Sequence, residues 1–321
     1  MTPVSPVSLE EIRAARERIA GTAIRTPLVR WNGEEPAGLE IHLKLENLQP
    51  IGSFKIRGAA NAIGKASPEE LAGGVYTASA GNMAQGVAWT ARQRRVPCSV
   101  IVPEHAPAAK LRAIERLGAA IEKRPFDAWW RVLAEHGSPE RRELFVHPVS
   151  DPAVIAGNGT IGLEILEDLP DVDAVVVPYG GGGLSSGIAC ALRALRPSAR
   201  VFAAETETAA PLAPSLAAEM PVAPSYAASF VDGIGSKGLL PEMWPMVREL
   251  LAGSIAVPLA AIAAAIRGLV ERNRVVAEGA GAASVAAALT GRTGPGKVVC
   301  VVSGGNIDPE KLATILTGGI P

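Results

Sequence analysis

Three cysteines in 321 residues, Cys98, Cys190 and Cys300, are too few and too scattered for a disulfide framework or a metal-ligand spacing. That scarcity fits a reduced, cytoplasmic protein. Surplus charge is also missing: 31 Lys+Arg stand against 32 Asp+Glu, for a net charge of −1. There is therefore no electrostatic case for a nucleic-acid or membrane-surface partner. The first residues, Met1-Thr2-Pro3-Val4-Ser5-Pro6, have no basic segment followed by an apolar core, so no secretory leader is expected. Uninterrupted apolar runs of spanning length are absent too. Leu250 to Ile266 carries no charge, but Gly253, Ser254 and Pro258 break it, which reads as a strand leading into a buried helix. Ala174 to Leu192 is broken by Pro178 and by glycines. No Walker A sequence occurs, because no Lys-Ser or Lys-Thr pair follows a glycine-rich loop.

Strand and helix signals alternate along nearly the whole chain, the pattern of an α/β protein with a mainly parallel sheet. Ser8 and Glu11 have the spacing of a capping box, opening a helix that Gly21 ends. Strands are expected at 41–45, 74–78, 98–102, 119–122, 174–178, 200–204 and 297–302, with helices at 55–66, 82–94, 107–117 and 184–195. Residues 206–226 read as a looser Pro/Ala-rich region. The series from about 71 to 146 has the makings of a small βαβαβ lobe. The expected organisation is a small domain of residues 71–146 set into a larger, discontinuous domain of residues 1–70 and 147–321. No regulatory domain is expected after the last strand and its following helix.

In open parallel sheets, ligands gather beyond the carboxyl ends of the strands. Four segments sit at such ends: 79–86, 180–184, Glu205 and 303–306. The most informative is Gly180-Gly181-Gly182-Gly183, between the apolar run Ala174–Pro178 and a helix starting near Leu184. Without Cβ atoms, successive N–H groups can converge on one point at a helix N-terminus, where an anion is favoured. A dinucleotide fingerprint fails, because G-x-G-x-x-G would need glycine at Ser185 or Ser186. Close packing alone would not demand four glycines, so the run reads as a cup for a single phosphate.

Ser53-Phe54-Lys55-Ile56-Arg57-Gly58 reads by itself as a helix capped by Ser53, with Lys55 on a solvated face. A lysine at a helix start can alternatively have its pKa lowered by the dipole and serve as an amine nucleophile, with Phe54 as a wall for a flat ring. Ser79-Ala80-Gly81-Asn82-Met83 is a turn opening a helix, suited either to ordinary capping by Ser79 or Asn82 or to binding a carboxylate. Ser303 ends a buried strand, and Glu278 lies in the glycine-rich turn Glu278-Gly279-Ala280-Gly281.

Taken in order, Ser-Phe-Lys-Ile-Arg-Gly, Ala-Ser-Ala-Gly-Asn, Gly-Gly-Gly-Gly-Leu and Ser-Gly-Gly-Asn make the chain resemble the fold-type II pyridoxal-phosphate enzymes, specifically the threonine/serine dehydratase and serine racemase group. The resemblance runs from Thr26 to Asn306. It implies two open, twisted, mainly parallel sheets flanked by helices, as in tryptophan synthase β, with pyridoxal 5'-phosphate in the cleft between lobes. It further implies a homodimer acting on a small amino-acid substrate. By this resemblance Lys55 forms the Schiff base, Gly180, Gly181, Gly182, Gly183 and Leu184 hold the phosphate, Phe54 lies against the cofactor, Asn82 bonds the ring's phenolic oxygen and Ser303 the pyridine nitrogen. Ser79, Ala80, Gly81, Asn82 and Met83 receive the substrate carboxylate. A neutral hydroxyl at the ring nitrogen makes a weaker electron sink than an aspartate would, which suits β-elimination of water from L-threonine or L-serine.

Three departures stand out. Ala80 replaces the serine that racemases of the group use on the opposite face. Pro211 stands where a second carboxylate would join Glu205 in a cation site; Glu207 is the nearest substitute, and no metal is expected. Met83 replaces a common histidine, which favours a more apolar pocket and a bulkier β-substituent such as phenyl. β-Replacement, as in cysteine synthase, is the alternative within the fold.

Overall fold

The computed structural model describes residues 2–321. Ten strands form two sheets: β1 (Leu28–Arg30), β2 (Leu39–Lys44), β3 (Val75–Ala78), β4 (Cys98–Pro103), β5 (Ala120–Arg124), β6 (Leu144–Phe145), β7 (Ala174–Pro178), β8 (Arg200–Thr206), β9 (Gly253–Val257) and β10 (Gly296–Val301). The larger sheet has the order β1-β2-β10-β7-β8-β9 and the smaller β5-β4-β3-β6. Every pairing is parallel except that of β1 with β2 at one edge. All four strands of the smaller sheet come from residues 75–145, while the larger sheet draws on the chain before and after them.

The apolar runs are continuous because these strands are covered on both faces. Along β7, Ala174 and Val176 face one core, and Val175 and Val177 face the other. Along β10, Val298 and Cys300 alternate with Val299 and Val301 in the same way. In the smaller sheet, Val100 and Val102 pack on one side of β4 and Ile101 on the other.

Most expected elements appear within a residue or two. The Ser8–Glu11 capping box forms with both reciprocal hydrogen bonds. Leu250–Ile266 resolves into β9 and the helix Leu259–Gly268, and among the described residues no helix is long and apolar enough to cross a membrane. The loose region 206–226 holds one helix, Leu212–Ala218. Among the elements not anticipated are β1 and β6, of three and two residues, and the helices Phe126–Ala134 and Pro152–Asp168.

The Pro152–Asp168 helix escapes sequence reading because Gly157, Gly159 and Gly162 interrupt it. Those glycines serve contact rather than looping. A Cβ at Gly157 would run into the backbone of Arg57, so the helices Lys55–Lys65 and Pro152–Asp168 meet backbone to backbone. Between them lies a buried ionic cluster. Arg57 donates to Glu46 at 2.8 Å and to Glu164 at 2.7 Å, and Lys44 donates to Glu164 at 2.6 Å. Burial pushes the Glu46 carboxyl up, but the facing Arg57 outweighs it and holds the group below its ordinary range.

Candidate active site

A cavity of about 500 Å3 opens between the two sheets. It collects residues from the carboxyl ends of β3, β7 and β10: Ser79 to Met83, Gly180 to Leu184, and Ser303. Phe54, Lys55 and Glu278 join them. Three of the four expected strand-end segments therefore converge.

The fourth, Glu205, does not. It is fully buried within β8, and its two carboxylate oxygens accept from the N–H groups of Leu212 and Ala213, both at 2.8 Å. Ser254 Oγ donates to it as well, at 2.6 Å. The carboxylate caps the start of the Leu212–Ala218 helix. Glu207 similarly accepts from the N–H of Leu259 at 3.1 Å. The strand-end position misled because a carboxylate there can cap the next helix as readily as it can face a ligand cleft.

Lys55 is the first residue of its helix, and its side chain turns into the cavity rather than toward solvent. Phe54 occupies the cap position, and the Ser53 hydroxyl reaches the Lys55 N–H only at 3.4 Å, so the expected Ser53 cap is marginal. Lys55 Nζ donates to the carbonyl of Pro148 at 2.6 Å. Burial pulls its pKa down to about 8. Pro148 was not foreseen. It follows β6, too short for any periodic signal.

Two helices of 13 residues begin at the cavity, and neither has a side-chain cap: Gly183–Leu195, entered through Gly182, and Asn82–Arg94, entered through Gly81. Their first-turn N–H groups therefore lack side-chain acceptors, leaving two anion sites in one cleft. Packing plays a larger part in the glycine run than its length implies. Gly182 has φ of +97°, and a Cβ on Gly183 would lie 2.5 Å from the Val149 carbonyl oxygen. At Gly180, in contrast, the nearest atom would be 3.6 Å away.

Asn82 is neither a cap nor free. Its Nδ2 donates to Glu278 Oε1 at 2.9 Å, and its Oδ1 accepts from Asn306 Nδ2 at 2.8 Å. Burial, reinforced by Asp232, pushes the Glu278 carboxyl up to about 7. Ser303 is buried, and its carbonyl accepts from the Phe54 N–H at 3.0 Å, which joins two of the expected cofactor contacts. Met83 lines the cavity while packing into the core beside Val87 and Val146.

Outside the cavity, His136, His147 and Glu242 bring three metal-capable groups within 4.8 Å of one another. His147 Nδ1 already accepts from the Val149 and Ser150 N–H groups, so its proton sits on Nε2 and no lone pair is left for a cation.

The architecture is matched among known proteins. The family model described as pyridoxal-phosphate dependent enzyme matches residues 19–304. The chain belongs to that family. It is 42% identical to the L-threonine ammonia-lyase of Thermotoga maritima, over 98% of this chain and 79% of that protein. It is 38% identical to the catabolic L-threonine dehydratase TdcB of Escherichia coli K12, over 97% and 96% of the two. Among solved structures, maize serine racemase superposes with a TM-score of 0.88 at 33% identity, covering 98% of each chain. A threonine deaminase from T.th. superposes at 0.85 and 35%, covering 94% of this chain and 99% of that one.

The cleft suits pyridoxal phosphate on its own chemistry. A lysine of lowered pKa lies in the same cavity as an uncapped helix start able to take a phosphate, and a second uncapped start can take a carboxylate.

Proposed function

We propose that this pyridoxal-phosphate-dependent enzyme removes water from a β-hydroxy-α-amino acid of the L-threonine or L-serine type. The net products are a 2-oxo acid and ammonia, the water lost in elimination being taken up again on hydrolysis. The observation that carries this reading is the placement of Lys55 Nζ in the cavity that also receives the uncapped starts of the Asn82–Arg94 and Gly183–Leu195 helices.

In this reading the N–H groups from Gly180 to Leu184 hold the phosphate, Phe54 walls one side of the cofactor, and the Ser303 hydroxyl meets the pyridine nitrogen. The bound group supplies the electron sink that makes the α-proton removable. The turn from Ser79 to Met83 grips the substrate carboxylate and fixes the α-carbon. Lys55, whose amine is made easier to deprotonate by burial, is the base that takes the α-proton. Asn82, held by Glu278 and Asn306, keeps its amide in one orientation. Ala80 has no proton to give on the opposite face, which weighs against racemisation. Residues 71–146 act as the mobile substrate-binding part, and the enzyme works as a homodimer in the cytoplasm.

Lys55→Ala should abolish both ammonia release from L-threonine and the visible absorbance of the purified protein. Retention of turnover would overturn the assignment.

A further inference from the structure

The cavity has more wall than the residues assigned so far account for. Phe and Trp number only five each in the chain, yet Phe54, Phe126 and Trp129 all line this one cavity. Phe126 and Trp129 lie on the Phe126–Ala134 helix, which follows β5, and Pro103, His105, Ala106 and Pro107 continue the lining from the end of β4.

The order of the smaller sheet turns this into a sequence in space. From β6 to β5 its carboxyl ends carry, in turn, the Pro148 carbonyl holding Lys55, the Ser79–Met83 turn, His105 with Pro107, and the Phe126–Trp129 pair. A substrate whose carboxylate sits on the β3 turn and whose α-carbon meets Lys55 therefore has the β4 and β5 walls beside it. Those walls are mainly proline and aromatic. Phe126 and Trp129 lie 5.4 Å apart with planes tilted by 46°, an arrangement to which a third ring can add edge to face. Lys237 lies 5.5 Å from the Phe126 ring centre and 5.6 Å from that of Tyr226, which fastens Phe126 from the other half of the molecule.

Two further observations narrow the choice of ligand. The indole N–H of Trp129 is buried, so what the ring offers the cavity is its apolar carbon surface. Both lysines of the lining are engaged, Lys55 with Pro148 and Lys110 with Asp232 at 2.7 Å. Neither lining lysine is therefore left to pair with an acidic β-substituent; Lys237, which has no carboxylate partner among the described residues, lies against the Phe126 ring without lining the cavity.

We infer that the Phe126–Trp129 wall is a subsite for an aryl β-substituent, making β-aryl-β-hydroxy-α-amino acids substrates of this enzyme. The inference rests on the proposed elimination and specifies its substrate class. Steady-state kinetics on L-serine, L-threonine and L-threo-phenylserine test it, alongside calorimetric binding of L-phenylalanine and L-alanine, which have no β-hydroxyl to lose. The kcat/KM for phenylserine should exceed that for serine roughly tenfold or more, the scale on which apolar pockets discriminate. L-Phenylalanine should bind more tightly than L-alanine by a similar factor. Trp129→Ala should collapse the phenylserine-to-serine ratio, and Trp129→Phe, which keeps the ring but not the N–H, should lower it by less. Should the alanine variant not fold, the phenylalanine variant and the binding comparison still decide. A preference for serine or threonine, with a ratio unmoved in both variants, overturns the subsite. If instead none of the three amino acids releases ammonia while the visible absorbance persists in Lys55→Ala, it is the elimination itself that fails.

Discussion

Glu278 and Lys55 line the same cavity, and burial moves their proton affinities toward each other: the carboxyl rises to about 7 and the amine falls to about 8. For Glu278 the sign of the linkage is unusual. An acid whose folded pKa is raised holds its proton longer in the folded state than in the unfolded chain, so stability declines as pH climbs from the unfolded value to about 7. Glu278→Gln keeps an acceptor for Asn82 but cannot ionise. Its advantage over the wild type should grow across that window and level off above it, reaching roughly 3 kcal/mol in denaturant unfolding at pH 8.5. A constant difference at all pH values would show that the carboxyl does not titrate there. Residues at this scale were legible when they ended strands: Ser79, Gly180 and Ser303 converge as their positions imply. Glu205 and Glu278 were both carboxylates of unsettled role in the sequence. Only the fold distinguishes one that caps a helix from one that faces a cavity.

Among the secondary elements, the Lys55–Lys65 helix bears most of the consequences, because it sets Lys55 on one side and Arg57 on the other. Arg57 is buried between Glu46 and Glu164, with Lys44 completing the cluster. Removing the guanidinium leaves Glu46 buried without its cation, while Glu164 keeps Lys44, a loss of about 3–5 kcal/mol for a broken buried pair. Arg57→Met should show that loss as a fall in the denaturation midpoint. The Arg57→Met, Glu46→Gln double variant, which leaves the Lys44–Glu164 pair intact, should recover part of it. The motif Ser-Phe-Lys-Ile-Arg-Gly disclosed Arg57 but not its partners, which lie 11 residues before and 107 residues after it in the chain. The Pro152–Asp168 helix was hidden for a related reason: glycine is a weak helix former in isolation, and only the neighbouring Lys55–Lys65 backbone makes its absent side chain useful.

For the whole molecule, the two sheets are tied across the cleft by a short set of polar contacts: Lys110 to Asp232, and Asn82 to Glu278 and Asn306. The first is solvent-exposed, so it adds little to global stability. Asp232→Ala should leave the thermal midpoint almost unchanged yet speed hydrogen exchange in the Ala108–Glu115 helix, and added salt should do the same to the wild type. Equal exchange in both proteins would show that the pair does not hold the halves together. The alternation of elements and the apolar runs made a mainly parallel α/β fold readable in advance, and the resemblance implied two sheets, whereas no local pattern specifies a contact between residues 122 positions apart. The hold of the Pro148 carbonyl on Lys55 also bears on time. About one fifth of an amine of pKa 8 is uncharged at pH 7.4, against about one in a thousand for an ordinary lysine. Lys55 in the cofactor-free protein should therefore outpace the other lysines with a small acylating reagent, its rate climbing up to pH 8 and flattening above. The newly made chain would then be ready to capture its aldehyde as soon as the two halves have folded around that carbonyl.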